Sequence, residues 1–378
     1  MIRKRSLAVA LVLGIISLAL VARPPVAAAV ADTLPERLSD QEFWKLIDEF
    51  SEPNGFFRSD NLLSNEIWFQ WVVPELVARA RTGGVYLGVG PEQNFTYIAA
   101  LRPKMVFITD VRRGNMHTQL MYKALFELSA DRADFFSKLF TKPRPAGLST
   151  KSTAAELINA YWDPAVKTSP EAEYKENLKA IQDHLTKKRT LPLVKEDLDG
   201  IEYVYFNFYW HGPAINYNSS SNSSGRGNMV SYGDLMMATD GANVSRSYLA
   251  NEENFKVLKE LHERNLIVPI VGNFGGPKAL RAVGRYLREK GATVSAFYLS
   301  NVEQYLYQDG LWNRFCGNVA SLPLDEKSTF IRSSQGGGGG PGGGLVNSLG
   351  SMQNETKGCG AFGPHPSQTA AASVRMSR

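Results

Sequence analysis

The feature that most constrains this fold is an alternation of short apolar runs with helical segments. Apolar runs at 85–87 and 105–108 predict two buried strands. A glycine-containing turn, 88–94, and a helical stretch, 95–101, lie between them. Parallel strands need a crossover connection of this kind, so the pattern indicates a parallel sheet. We therefore predict an α/β protein with a Rossmann-like core, in which helices flank a mostly parallel sheet.

The second half of the chain repeats this alternation. Its apolar runs predict strands at 201–206, 235–238, 266–271, 293–299 and near 329–331. Stretches with the apolar spacing of one buried helix face predict helices at 251–264, 277–290 and 302–308 in this half, and at 115–128 in the first half. The expected sheet thus takes strands from both halves of the chain.

The segments around this core form further regions. We expect a signal peptide at 1–31, a helical lead-in at 32–82, the Rossmann-like domain at 83–334 with a helical insertion at 131–199, and a disordered tail at 335–378. Pro74 is predicted to kink a lead-in helix. The tail is glycine-rich and polar, so it is not expected to bury enough apolar area to offset its chain entropy.

The cysteine content excludes a disulfide-based scaffold, because the chain has only Cys316 and Cys359. The two residues could pair in an oxidising compartment. The position of Cys359 in a tail expected to be disordered argues against a stable bond.

The first 31 residues have the pattern of a secretory signal peptide. A basic start at 3–5, an uncharged apolar run at 7–22 and small residues at 29–31 follow one another in the order that such peptides have. We predict cleavage before Asp32 and an exported, periplasmic or secreted, protein. An uncleaved N-terminal anchor is the alternative, although the apolar run is shorter than the roughly 20 residues of a membrane-spanning helix.

The net charge gives no case for nucleic acid as a partner. The whole chain has a formal charge of +5, and removal of 1–31 takes away four basic residues and no acid, which leaves +1. A nearly neutral mature chain favours neither nucleic acid nor an anionic membrane surface. We expect a small-molecule ligand instead, and no membrane contact beyond the N-terminal segment.

Polar residues follow several predicted strands, at the edge where open α/β sheets bind ligands. Glycines in the first of these turns let the backbone come close to a ligand at a helix N-terminus. Asp110 suits a ribose, because a carboxylate accepts hydrogen bonds from both hydroxyls of a diol. A tight turn with a helix-capping Asp110 is the plainer alternative. The residues at this edge are Gly88, Gly90, Glu92, Asn94, Asp110, Asp240, Asn273, Ser300 and Asn301.

The run Val85-Tyr86-Leu87-Gly88-Val89-Gly90, followed by Asp110, resembles motif I and the acid after it in class I S-adenosylmethionine (SAM) methyltransferases. The stretches 88–95 and 301–306 also resemble an uncharacterised bacterial family with such a core, over roughly residues 50–330. The likeness to methyltransferases implies SAM as cofactor, with the two glycines near its methionine part and Asp110 at its ribose.

The sequence departs from the methyltransferase pattern at two positions. Tyr86 stands where those enzymes usually have an acid, and Glu92 stands at their usual third glycine. With Asn94, Glu92 would contribute to the cofactor site if the turn binds SAM. These departures argue against methyltransferase activity more than against a methyltransferase-like fold.

Two residues are candidates for proton transfer. His211 follows Tyr209 and other aromatic residues in the expected crevice and could act as a general base. Asp240 ends a predicted strand at the same edge. A half-buried structural histidine is the alternative for His211. The sequence has no zinc-binding or P-loop motif, so we predict no metal site.

Two functions remain open from the sequence. The first is a SAM-dependent, methyltransferase-like transferase, which Asp110 and the polar edge favour. The second is a non-catalytic extracytoplasmic protein that binds a small ligand, which the export signal and Tyr86 favour.

Overall fold

The computed structural model describes residues 32–220, 229–335 and 345–359. The expected signal peptide, 1–31, lies outside these ranges. All the described residues belong to the unit Asp32–Arg378. Among the helices in these ranges, none combines the length and the apolar character of a membrane span.

The described strands form a six-stranded sheet. They are β1 (Val85–Gly88), β2 (Met105–Asp110), β3 (Ile267–Val271), β4 (Val294–Ser300), β5 (Thr329–Gln335) and β6 (Leu345–Ser351). Their order is β3-β2-β1-β4-β5-β6, parallel from β3 to β5 and antiparallel between β5 and β6. The prediction of a mostly parallel, Rossmann-like α/β sheet is confirmed.

The chain order reverses between β1 and β4, at the centre of the sheet. Val85 of β1 pairs with Met105 of β2 on one side and with Val294 of β4 on the other. In open α/β sheets, ligands bind outside the carboxyl ends of the strands at such a reversal. The topology therefore positions a site beyond the ends of β1 and β4.

Burial explains why the central strands are continuous apolar runs. β1, β2 and β3 are buried along their whole length, as expected for strands covered on both faces. Pro269 in β3 lies opposite Ile108 of β2. Because β3 is an edge strand, a residue without a backbone N–H is tolerated there.

Helices surround the sheet. Helix α4 packs against β3, α8 and α10, and α1 packs against β3. The helices are α1 (Asp40–Phe50), α2 (Val73–Arg79), α3 (Gln93–Leu101), α4 (Arg113–Leu128), α5 (Arg132–Phe140), α6 (Ala154–Trp162), α7 (Glu171–Asp183), α8 (Lys195–His211), α9 (Tyr232–Met237), α10 (Glu252–Glu263), α11 (Ala279–Glu289), α12 (Val302–Gln308), α13 (Trp312–Ala320) and α14 (Met352–Thr356). A single π turn, His184–Lys188, extends α7, and a 3₁₀ turn, Gly212–Ala214, follows α8.

The lead-in is less helical than the sequence suggested. Residues 67–72 form turns, and α2 begins only at Val73. Pro74 lies in the first turn of α2 and kinks no helix, so that prediction was wrong. Proline suits the first turn because the N–H that it lacks has no partner there.

The segment 201–206, predicted as a strand, belongs to helix α8. Ile201, Val204, Tyr205 and Phe208 are buried, at the spacing of three and four residues that one helix face requires. The prediction was wrong because a short run of aromatic and β-branched residues does not distinguish a strand from a buried helix.

The segment 235–238, also predicted as a strand, belongs largely to helix α9. Ser231 caps this helix, and its hydroxyl accepts a hydrogen bond from the backbone N–H of Asp234 at 3.1 Å. The Asp234 carboxylate in turn accepts from the Ser231 N–H at 2.9 Å. This reciprocal cap starts a helix just before the apolar run, and the sequence reading overlooked it.

The C-terminal region is folded in part, which corrects the prediction of a disordered tail. Residues 345–351 form β6, and Met352 at the start of α14 is fully buried. Cys316 of α13 is bonded to Cys359, with 5.3 Å between their Cα atoms. Alternate burial of Leu345 and Asn347 is the two-residue period of a strand, which the preceding glycines obscured.

Candidate functional site

A cavity of about 530 Å³ opens at the carboxyl ends of the central strands. Its other walls include the segment 56–66, residues of α12, and Tyr217, Met229, Gln335 and Leu345. The lining residues at the strand ends include Val89 and Gly90 after β1, Thr109 and Asp110 at the end of β2, Gly272 and Asn273 after β3, Ser300 at the end of β4 and Asn301 after it. The structure therefore brings together at one cavity the ends of the four strands that meet around the reversal in chain order.

The two glycines of the first turn have different roles. Gly90 lines the cavity and has a φ of +74°, which non-glycine residues rarely adopt, and a Cβ there would meet no atom within 4 Å. A Cβ on Gly88 would overlap the side chain of Asn94. Gly88 is thus required by packing within the turn, whereas Gly90 opens the turn toward the cavity.

Asn94 and Glu92 shape the turn from behind and do not line the cavity. The Asn94 amide donates to the carbonyl oxygens of Val89 at 2.8 Å and Pro91 at 2.7 Å, and its oxygen accepts from the Tyr86 hydroxyl at 3.0 Å. Tyr86, at the position of the usual acid, therefore holds the turn together. The expectation that Glu92 and Asn94 contact a cofactor finds no support in this geometry.

Glu92 is fully buried. One of its carboxylate oxygens accepts from the Ser64 backbone N–H at 3.2 Å, and the other has no partner among the described residues. Burial raises the pKa of Glu92 to about 7, against the opposing effect of the Ser64 hydrogen bond.

Asp110 offers an open acceptor inside the cavity. It is only 5% exposed, and burial raises the pKa of its carboxyl group above the ordinary value. One oxygen accepts from the Arg112 N–H at 3.0 Å, and the other has no hydrogen-bond partner in the described parts of the chain. A carboxylate held in this way can accept from a ligand hydroxyl.

The remaining predicted crevice residues on the strand ends also line the cavity. The Asn273 side chain accepts from the Gly275 N–H at 2.8 Å, which fixes the turn after β3. Ser300 has a φ of +50° and donates to Glu66 at 2.5 Å. The Asn301 side chain makes no hydrogen bond within the described residues, so its amide can reach a ligand.

Glu66 is a cavity residue that the sequence did not reveal. It is 1% exposed, and its carboxylate accepts four hydrogen bonds from neutral groups. The donors are the Tyr298 hydroxyl at 2.9 Å, the Ser300 hydroxyl at 2.5 Å, the Gln93 amide at 2.8 Å and the Asn347 amide at 2.7 Å. Glu66 lies in the lead-in, and no local pattern connects that segment with the carboxyl edge of the sheet.

His211 and Tyr209, predicted at the crevice, lie elsewhere. Both are on helix α8 and neither lines the cavity. The Tyr209 ring stacks on Tyr174 at 4.5 Å, and its hydroxyl donates to the Ser169 carbonyl at 3.3 Å. Their assignment depended on a strand at 201–206, which the helix replaces.

Asp240, the other proposed catalytic residue, also lies outside the cavity. Its carboxylate accepts from the N–H groups of Ala242 and Val244 and pairs with the Arg246 guanidinium at 2.9 Å. The Val244 hydrogen bond is the main reason that the pKa of Asp240 is lowered. Asp240 thus stabilises a turn, and its oxygens are already engaged.

The described residues contain no group of three or more His, Cys, Asp or Glu side chains arranged to hold a metal ion. The described residues that line the cavity offer hydroxyl and amide groups, the carboxylates of Glu66, Asp110 and Asp309, and the guanidinium of Arg58.

A comparison with known protein families shows which family the chain belongs to. The family model of the domain of unknown function DUF7790 matches residues 62–198 and 216–345, more than half of the chain. The chain belongs to the DUF7790 family. No curated protein matches it. The DUF7790 segments include Glu66, Gly90 and Asp110, whereas Tyr209 and His211 lie between the two matched segments.

Proposed function

We propose that this protein binds a small, ribose-containing molecule in the cavity at the carboxyl edge of the sheet. The observation that carries the proposal is the open oxygen of Asp110, which faces a cavity beside the glycine turn. A carboxylate at the end of the second strand is well placed to accept from a ribose diol. Gly90 leaves room for the ligand to approach the backbone.

The size and lining of the cavity support a small molecule as ligand. A volume of about 530 Å³ lies within the range of about 300–1,000 Å³ that is usual for such sites. Backbone turns and a few polar side chains converge on it, which can orient a polar ligand.

Binding without catalysis is the function that the positions of the candidate bases support best. His211 and Asp240 lie outside the cavity. A SAM-dependent transferase is the second candidate, favoured by Gly90 and Asp110 at positions that resemble those of class I methyltransferases. Among the described residues that line the cavity, the buried carboxylates are those of Glu66 and Asp110.

Export is part of the proposal, and the Cys316–Cys359 bond supports it. Disulfides persist mainly in oxidising compartments outside the cytoplasm. N-terminal sequencing of the protein from its native envelope fraction should give a start near Asp32. An intact Met1 on a cytoplasmic protein would contradict export.

Calorimetric titration of the mature chain with SAM, its demethylated product and NAD tests the site. Asp110→Asn should weaken binding of a ribose-containing ligand roughly ten- to a hundredfold, because a charge-assisted hydrogen bond is worth about 1.5–3 kcal/mol. Gly90→Asn should reduce binding, because the added side chain occupies space that the ligand needs. We choose asparagine because it tolerates a positive φ better than other side chains, so the turn should keep its fold.

The outcome also separates the two candidate functions. Selective binding of SAM or its product would favour the transferase. A folded wild-type protein that binds none of the three ligands at millimolar concentration would refute the ribose site.

A further inference from the structure

The cavity wall carries an excess of negative charge. Its lining includes the acids Glu66, Asp110 and Asp309 and one basic residue, Arg58, among the described residues. Arg58 is exposed, and its guanidinium donates to the Tyr305 hydroxyl at 3.2 Å and lies 5.7 Å from the centre of that ring. It is therefore engaged at the mouth and pairs with neither buried acid.

Among the described residues, three buried carboxylates away from the cavity are paired with cations. Each has a basic nitrogen within 3 Å, as expected because an unpaired buried charge is costly. The pairs are Asp197 with Arg113 at 2.7 Å, Glu127 with Lys123 at 2.7 Å and Asp240 with Arg246 at 2.9 Å. Glu66 and Asp110 make no ion pair, although the charge of Arg112, which pairs with Asp60 at 3.1 Å, still acts on Asp110. Among the described residues these are the two buried acids that face the cavity. Glu92 has no cationic partner either, but it does not line the cavity and burial favours its neutral form.

The surroundings of Glu66 differ from those of the paired acids. Its four hydrogen-bond donors are hydroxyl and amide groups, which orient the carboxylate but supply no opposite charge. Asp110, in turn, leaves one oxygen without a partner. Both carboxylates are at least nine-tenths buried, so little water is available to stabilise their charge.

We infer that the ligand of this cavity is an organic cation, whose positive group lies against Glu66 while its hydroxyls meet Asp110. This inference rests on the proposed function, because it concerns the same site. A charged nitrogen or sulfur on the ligand supplies the counter-charge that no described side chain provides for Glu66. The lining residues do not form a metal cluster, so the cation is a molecule with its own charged group.

A matched pair of probes isolates the charge. Adenosine and 5′-amino-5′-deoxyadenosine share the base and the ribose diol, and differ in a hydroxyl against an ammonium group. We expect the mature wild-type protein to bind the amino compound about ten- to a hundredfold more tightly. Glu66→Gln should reduce this preference to less than about threefold, as measured by calorimetry.

The Glu66→Gln variant should fold, because the neighbouring amides can adapt. The glutamine oxygen can accept from Tyr298 and Ser300, and the Asn347 amide can turn so that its unpartnered oxygen accepts from the new NH₂ group. Gln93 keeps its hydrogen bond to the Tyr97 hydroxyl. Circular dichroism and thermal melting verify the fold before titration.

Glu253→Gln is the control. Glu253 is 71% exposed on α10, pairs with Arg102 and does not line the cavity, and its substitution changes the net charge by the same amount. This variant should keep the wild-type preference for the amino compound. Equal loss in both variants would show that the total charge, and not Glu66, sets the preference.

Failure of this inference can be distinguished from failure of the proposed function. If adenosine binds and the amino compound binds no better, the ribose site stands and the cation site is wrong. If neither compound binds to the folded wild type, both are wrong. A preference that survives Glu66→Gln would exclude Glu66 as the recognition group.

Discussion

Two buried regions of this protein treat charge in opposite ways. On α4, the Glu127 carboxylate contacts Lys123 of the same helix at 2.7 Å, and His184 and Arg189 at 2.6 Å each. At the cavity, Glu66 is equally buried but accepts from neutral groups. The comparison separates a buried charge that the fold neutralises with its own cations from one that it surrounds with neutral donors, which we propose is matched by the charge of a ligand.

The largest expected effect is the difference in stability lost when each of the two acids is replaced by glutamine. Glu127→Gln should lower the free energy of unfolding by about 3–5 kcal/mol, because it leaves the buried Lys123 without its anionic partner. Glu66→Gln, the same chemical change, should cost about 1 kcal/mol or less, since no cation loses a partner. Urea unfolding of both variants measures the difference. Equal losses would mean that Glu66 also carries structural charge.

The disulfide tests whether the open site depends on the C-terminal region. Cys359→Ser should lower the free energy of unfolding by about 2–4 kcal/mol, because the bond closes a loop with a sequence separation of 43 residues. It should also weaken ligand binding, since β6 brings Asn347 to Glu66. Urea unfolding and calorimetry of the variant measure both effects. A variant as stable as wild type, with unchanged binding, would show that β6 docks without the bond.

The smallest expected effect, counted per pH unit, is on the pH dependence of stability. The pKa of buried Glu92 is raised to about 7, so its contribution is full below about pH 4.5 and is lost as pH rises through 7. Relative to Glu92→Gln, the wild-type free energy of unfolding should fall between pH 5 and 7 by at most about 1.4 kcal/mol per unit. Parallel slopes for the two proteins in urea titrations would refute an unpaired Glu92.

Glu127 should show the opposite sign. Burial alone would raise its pKa, but the His184 hydrogen bond and the Lys123 charge outweigh burial and lower the pKa to about 2. Its contribution to stability is therefore present above about pH 4.5 and lost as pH falls through 2. The paired acid Glu127 and the unpaired acid Glu92 should therefore change the free energy of unfolding with pH in opposite directions.

The sequence predicted those parts of the fold whose signal is local. The runs that form β1, β2 and β3 are apolar because these strands are buried, and β4 was predicted within one residue at each end. The aromatic run in α8 was mistaken for a strand, since its helical face appears only when residues beyond 201–206 are included. β6 was missed because a glycine stretch precedes its alternating pattern.

The candidate site could be predicted only in part, for the same reason. The sheet itself brings together its strand ends, and with them the residues that end a strand or follow one, which are Gly90, Asp110, Asn273, Ser300 and Asn301. Glu66 reaches the cavity from a segment without regular structure, through hydrogen bonds to distant residues. His211 was misplaced together with its supposed strand. Local patterns thus locate the edge of the sheet but not the side chains that other segments bring to it.

The pairing of β1 with β4 also sets the order in which the molecule can assemble. Val85 and Val294 are adjacent in the sheet, although more than half of the chain separates them. Contacts between residues so far apart in sequence form slowly, because the intervening chain must lose entropy before they are made. The crevice therefore does not exist in either half alone. The cavity, which is lined by residues from both halves of the chain, therefore forms only once this long-range pairing is made.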